Sequence, residues 1–298
     1  MACAPLIPNA AGELSTELGE LGRWRLMPHL GGASFETLQS AEQARSAGSL
    51  VGRFHAALRD FDSPLAPLGI PYRDTGLYLE AMERAFVVHS DHRLASEMQA
   101  HGQRVLNRFA GMGPAPEVPE RVIHGDLKLS NLLFEDREPP GRDIAFALID
   151  LDTLMRGPLW VELGDAWRSW CDSPQEPPQE SSRESTQESD PGVSGEASEI
   201  RFAMDSFEAS LEGFLEGLAE PLSEAERDSL VLAPERITLE LCARFITDAL
   251  DESYFAWDDS NFRSRGDHNA VRAVDQWSLC DSMRETRGER EAILRRLA

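Results

Sequence analysis

HGDLKLSN, residues 124–131, sets an aspartate, the sole lysine of the chain and an asparagine within six positions. Phosphoryl transfer from a magnesium nucleotide asks for this spacing. One aspartate accepts the proton of the attacking hydroxyl, and an asparagine five positions later turns back to the metal. A second aspartate at a nearby strand end bridges metal and phosphates. Asp126 fits the base, Asn131 a metal ligand, and Lys128 is placed to neutralise the transferring phosphoryl group. The second aspartate is Asp150, delivered by the apolar run IAFALID at 144–150, so Asn131 and Asp150 form the expected magnesium set. His124 is expected to brace the loop backbone, since Asp126 already fills the base role. Asp152 stands either as a second-metal contact or as a strand-end hydrogen-bonder.

Outward from this centre, NLLF and IAFALID are separated by EDREPPGRD, whose prolines, glycine and charges suit an exposed turn between antiparallel strands. Upstream, Leu50, Phe54, Ala57 and Phe61 fall at helical spacing, with Ser34 placed as a cap. A second helix is expected over 91–110, where Leu94, Met98, Val105 and Phe109 share a face. The first thirty residues hold two short apolar runs, LIP and WRLMPHL, that suggest a strand pair. Downstream, residues 173–199 have almost no large apolar side chain and are expected to form a disordered acidic insertion. Phe207, Leu211, Phe214 and Leu218 then mark an amphipathic helix, and Ser223 with Glu226 a capping box. ITLELCARFITDAL, at 237–250, is apolar nearly all round and should be buried. Arg236, Glu240, Arg244 and Asp248 recur every four residues along it, a pattern that is usually a solvated face. DHN at 267–269 reads as a helix cap, Asp165 sits where an N-cap would, and Tyr254 and Trp257 suit either core or a ligand-stacking platform.

Composition narrows the partners. A formal charge of -23 over 298 residues repels nucleic acid and anionic membrane, so neither is expected. The four cysteines form no CxxC pair, and the N-terminus lacks the basic start and apolar core of a signal peptide. Reduced thiols in a cytoplasmic protein are expected.

HGDxxxxN followed by xIDxD resembles the catalytic loop and metal-binding strand of the kinase-like phosphotransferases, a superfamily that includes aminoglycoside phosphotransferases and choline kinases. Within it, IDLDTLMRGPLWVELGD, RFITDALDESYF and DHNAVRA are most similar to N-acetylhexosamine 1-kinases. The resemblance implies an α+β protein-kinase-like phosphotransferase fold: residual small-lobe strands and hinge over 1–30, and a helical large lobe over 31–298. It implies ATP as phosphate donor, Mg2+, and the anomeric hydroxyl of an amino sugar as acceptor. An aminoglycoside or other amino alcohol is the alternative acceptor. Met27, His29 and Leu30 would present hinge backbone to adenine, Asp165 would brace the catalytic loop, and Arg244 with Asp248 would hold sugar hydroxyls.

A kinase small lobe also supplies a glycine-rich loop over the phosphates and a strand lysine that grips them. This chain has neither, Lys128 being already used, so the resemblance starts partway through the small lobe. Loss of one preorganised charge aimed at the transition state costs about 3 to 4 kcal/mol. Three expectations follow: a start placed too late, a truncated and weakly active enzyme, or a noncatalytic large lobe serving as a binding module.

Overall fold

The computed structural model describes residues 3–69, 72–136, 143–174 and 200–298. Helices dominate, and small antiparallel pairs flank the loop at 124–131. The N-terminal arm holds β1 (Thr16–Glu17) and β2 (Arg23–Trp24), which pair antiparallel, with a further bridge between Ile7 and Leu26. Its apolar runs therefore meet across a hairpin. Ala33 then bridges Phe134, its N–H donating to the Phe134 carbonyl at 2.9 Å.

Helix α1 (Ala41–Ala57) starts later than the periodicity suggested. Ser40, not Ser34, is the cap, its hydroxyl accepting from the Gln43 N–H at 3.0 Å, and Phe61 falls beyond the helix end. Two serines within reach of one apolar stripe make this start ambiguous from sequence. Helix α2 (Thr75–Val88) was not anticipated, because exposed Leu77, Val87 and Val88 blur its apolar face. Helix α3 (Ala95–Met112) begins after Leu94 and buries Met98 and Val105.

The loop at 124–131 lies between β3 (Glu120–Ile123) and β4 (Leu132–Phe134). As expected, β4 pairs antiparallel with β5 (Ala145–Leu148), in register Leu132 to Leu148. Strand β3 pairs with β6 (Met155–Pro158), which leads directly into α4 (Leu159–Trp170). This path brings α4 back under the loop. Strands β7 (Asp172–Pro174) and β8 (Ile200–Phe202) pair, so the first two positions of the expected insertion belong to a strand. The rest of it, 175–199, lies outside the described residues.

Helix α5 (Met204–Leu218) buries its predicted stripe against α1 at very short range. A Cβ at Gly48 would stand 1.9 Å from the Ser210 carbonyl oxygen, and one at Gly213 1.9 Å from that of Arg45, so only glycine permits this crossing. Helix α6 (Glu224–Leu230) carries the full capping box between Ser223 and Glu226. Helix α7 (Ala233–Asp251) is buried as predicted and packs against α2, α4 and α8 (Arg265–Glu285), and α9 (Arg287–Leu297) closes the chain. Ser264 rather than 267–269 caps α8, accepting from the Asp267 N–H at 3.1 Å. Two apolar clusters result, one around α1, α4, α5 and the loop leucines, the other around α2, α3, α7 and α8. Among the described residues no helix is long and apolar enough to cross a membrane.

Candidate active site

Alternation fixes how the loop sits. Leu127 and Leu129 are fully buried, which leaves Asp126 half-buried and Lys128 exposed on the other side. Gly125 has φ +83°, and a Cβ there would meet the Thr153 carbonyl at 2.7 Å, so the turn into Asp126 requires glycine.

Helix α4 satisfies the backbone that this turn strips from regular structure. Both carboxylate oxygens of the fully buried Glu162 accept from the loop, the His124 N–H at 2.8 Å and the Gly125 N–H at 3.0 Å. Asp165 accepts from the Leu127 N–H at 2.9 Å, Ser169 Oγ from the Leu129 N–H at 3.0 Å, and Trp170 Nε1 donates to the Leu127 carbonyl at 2.8 Å. These four residues recur at helical spacing, on one face of α4. Asp165 is therefore mid-helix, not an N-cap; its partner is the loop backbone.

A buried cation completes the cage. Arg73 Nη2 lies 2.7 Å from Asp165 Oδ2 and donates to the Gly125 carbonyl at 2.9 Å, where the Tyr72 hydroxyl also donates at 3.1 Å. Burial alone would raise the Asp165 carboxyl, but the Arg73 and Arg168 guanidiniums outweigh it and hold the group below the usual carboxylate range. Burial lowers Arg73 in turn, and the Asp165 and Glu240 carboxylates more than restore its charge.

On the open side, Asn131 Nδ2 donates to the Asp126 carbonyl at 2.8 Å and to Asp126 Oδ2 at 3.1 Å, while Lys128 Nζ stands 3.2 Å from the same Oδ2. The Asn131 amide is thus oriented with its donor committed and its oxygen left over. Asp150 follows β5 in a left-handed conformation, φ 61°, ψ 53°, and is exposed. Its preceding residue is tied to the loop at both ends: the Ile149 N–H donates to the Asn131 carbonyl at 3.0 Å, and His124 Nε2 donates to the Ile149 carbonyl at 2.9 Å. The other ring nitrogen accepts from the Asp126 N–H at 3.4 Å. His124 is fully buried and braces the backbone between the two aspartates.

Beside this loop, between α2 and α7, opens a cavity of about 400 Å³ lined by Tyr72, Tyr78, Arg244, Asp248, Tyr254 and Phe255, among others. Tyr72 links it to the loop through Gly125. The charged stripe of α7 is not solvated. Arg236, Glu240 and Asp248 are buried, Arg236 donating to the carbonyls of Met112, Gly113 and Pro114 that end α3. Glu240 accepts from Thr75 Oγ1 at 2.6 Å and faces Arg73 at 3.6 Å. Asp248 takes the N–H groups of Ser253, Tyr254 and Phe255 and the Asn269 amide, each at 2.8 Å, and so folds the loop after α7.

A family model described as the phosphotransferase enzyme family matches residues 3–192. The chain belongs to this phosphotransferase family. Its fold is the kinase-like phosphotransferase fold, found in solved structures of low identity. An aminoglycoside phosphotransferase from Alicyclobacillus acidocaldarius is 14% identical, with TM-score 0.51, over 96% of this chain and 78% of that one. A microcompartment-associated aminopropanol kinase is 14% identical, with TM-score 0.52, over 98% and 77%. A spectinomycin phosphotransferase in an AMP-bound complex is 10% identical, with TM-score 0.51, over 91% and 77%.

In this phosphotransferase, Asp152 pairs with Arg25 of the N-terminal arm, both exposed. Met27, His29 and Leu30 lie between β2 and Ala33, the residue that bridges Phe134 of β4. Arg73, Tyr72, Glu162 and Ser169 were missed in the sequence. Glu162, Asp165 and Ser169 share a helical face beside two tryptophans, and that periodicity was a usable signal; nothing local marks Arg73. Among the described residues no three His, Cys, Asp or Glu side chains gather as a metal cluster.

Proposed function

We propose that the chain transfers the γ-phosphoryl group of ATP to a sugar hydroxyl, the anomeric hydroxyl of an N-acetylhexosamine. The observation that carries this reading is Asp126, held within hydrogen-bonding distance of both Asn131 and Lys128 beside a cavity of acceptor size. Asp126 accepts the hydroxyl proton as the acceptor oxygen bonds to phosphorus and the bond to the leaving ADP oxygen breaks. Lys128 offsets charge on the transferring group. The acceptor lies in the Tyr72–Arg244 cavity, positioned by Arg244, with Asp248 shaping the wall.

Asn131 Oδ1 and the Asp150 carboxylate are hard oxygen donors, and they fit Mg2+. Held there by Asn131 and Asp150, Mg2+ would neutralise charge on the nucleotide phosphates. Backbone at Met27, His29 and Leu30 holds adenine, residues 1–30 acting as the small-lobe strands and hinge over the large lobe at 31–298. The scattered, unpaired cysteines support a reaction in the cytoplasm.

The test is ADP release with ATP and Mg2+ across N-acetylhexosamines, aminoglycosides and amino alcohols, with 31P detection of the product. A sugar 1-phosphate that Asp126→Ala abolishes is the expected result. Phosphorylation of aminoglycosides or amino alcohols alone would move the acceptor class, and no ATP-dependent product with any acceptor would make the lobe a binding module.

A further inference from the structure

Four charged side chains line the cavity beside the loop: Arg84, Arg244, Asp248 and Asp251. Three of them are already answered by protein. Arg84 has Glu80 at 3.6 Å, Asp251 has His89 Nε2 at 2.8 Å, and Asp248 receives four N–H donors. Glu240, on the same helix, is engaged by Arg73 and Thr75. Arg244 differs. Among the described residues no carboxylate lies within 4.0 Å of it. Its guanidinium carbon instead stands 4.9 Å from the ring centre of Tyr78, 5.2 Å from Phe255 and 5.5 Å from Tyr254.

Rings hold a guanidinium by its flat face through the quadrupole, whereas its five N–H donors lie in the plane. Aromatic packing therefore fixes the cation and removes water from it without using its donors. A half-buried, preoriented guanidinium with open donors is matched by a planar or tetrahedral anion, which takes two parallel N–H bonds. A polycationic acceptor would instead bring like charge against Arg244 in a partly dry cavity, where repulsion is strong. Asp248 has its oxygens occupied by N–H donors, and Asp251, the other carboxylate of the lining, is engaged by His89 Nε2 at 2.8 Å.

We propose that this cavity selects acceptors carrying a negatively charged substituent, a carboxylate or a phosphate, which Arg244 binds. The inference rests on the phosphoryl-transfer reading above and narrows its acceptor to an acidic N-acetylhexosamine. The cavity would then reject neutral sugars by lost contact and aminoglycosides by repulsion. The net charge of -23 on the whole chain makes the local preference the more specific, because an anion gains nothing from the surface at large.

A matched pair decides it. N-acetylglucosamine and 2-acetamido-2-deoxyglucuronic acid differ only in a CH2OH against a carboxylate, and kanamycin supplies the polycation. With ATP and Mg2+, kcat/KM for the acid should exceed that for the neutral sugar about tenfold or more, as one charge-assisted contact gives. Kanamycin should be the poorest. Arg244→Gln should collapse the acid-to-neutral ratio toward one, and Arg244→Lys should keep part of it. Equal or reversed preference in the wild-type protein would overturn the inference whatever the variants do. Should no acceptor be phosphorylated, the transfer reading fails separately. Calorimetry with the two sugars then decides the charge preference: tighter binding of the acid, weakened by Arg244→Gln, supports it, and equal affinities overturn it.

Discussion

The loop carrying Asp126 and the N-terminal arm over residues 3–30 are held in opposite ways. Around the loop, Glu162, Asp165, Ser169, Trp170, Tyr72 and Arg73 meet backbone N–H and C=O groups one by one, and the side chains between them are buried leucines. In the arm no residue is buried, Leu21 and Leu26 are 70% and 62% exposed, and among the described residues its anchors to the rest include Arg25 on Asp152 and the chain leading to Ala33. The difference teaches where this protein invests stability: in orienting Asp126 and Asn131, the proposed base and metal-side amide, and hardly at all in the segment proposed to meet the nucleotide. Catalytic geometry should therefore be sensitive to changes far from Asp126, if they fall under the loop, and indifferent to most changes in the arm.

The largest effect is expected from Asp165→Ala. It leaves Arg73 buried with one partner fewer and the Leu127 N–H unpaired, a loss of about 3 to 5 kcal/mol measurable by urea unfolding. A smaller cost, roughly 1 to 3 kcal/mol, is expected from Gly125→Ala, whose added Cβ meets the Thr153 carbonyl at positive φ. Activity should fall in step, because the turn into Asp126 must move.

Acidity probes the same contrast. Asp165 is held below the usual carboxylate range, so its contribution is present above the unfolded-state pKa and is lost as pH falls through the depressed value. The stability gap between wild type and Asp165→Asn should therefore shrink in acid. Asp172, at the base of β7, behaves in the opposite sense. Burial chiefly pushes it up to about 6, so its contribution is complete below the unfolded-state pKa and disappears as pH rises through about 6. Asp172→Asn should raise the melting midpoint at pH 8 and change little at pH 4. In the arm, Trp24→Ala and Arg25→Ala should each shift stability by less than about 0.5 kcal/mol, because both side chains are substantially exposed. A shift above 2 kcal/mol for either would erase the contrast.

The sequence was readable where local chemistry decides. The antiparallel β4–β5 pair, the Ser223–Glu226 capping box and the burial of α7 follow from turn residues, a four-residue motif and an apolar run. It was unreadable where partners are remote. The charged stripe of α7 has the spacing of a solvated face, cleft-facing only by resemblance at Arg244 and Asp248, because the groups that bury it, Arg73, Thr75 and the carbonyls ending α3, lie far away in sequence. Asp165 looked like a cap because a glycine precedes it, whereas Gly164 serves the approach of α7, where a Cβ would stand 2.7 Å from the Ala233 carbonyl. The spacing of Asp126 and Asn131 fixed a contact that local geometry dictates; the cage beneath them depends on tertiary packing, which no short motif encodes.

Asp126→Asn tests the central claim most directly, because it keeps the size of the side chain and removes only its capacity to take a proton. Turnover with ATP and the best acceptor should fall about 10²- to 10⁴-fold while the urea midpoint stays within error of wild type. Turnover within a few-fold of wild type, in a variant equally well folded, would contradict the assignment of this loop as the site of phosphoryl transfer.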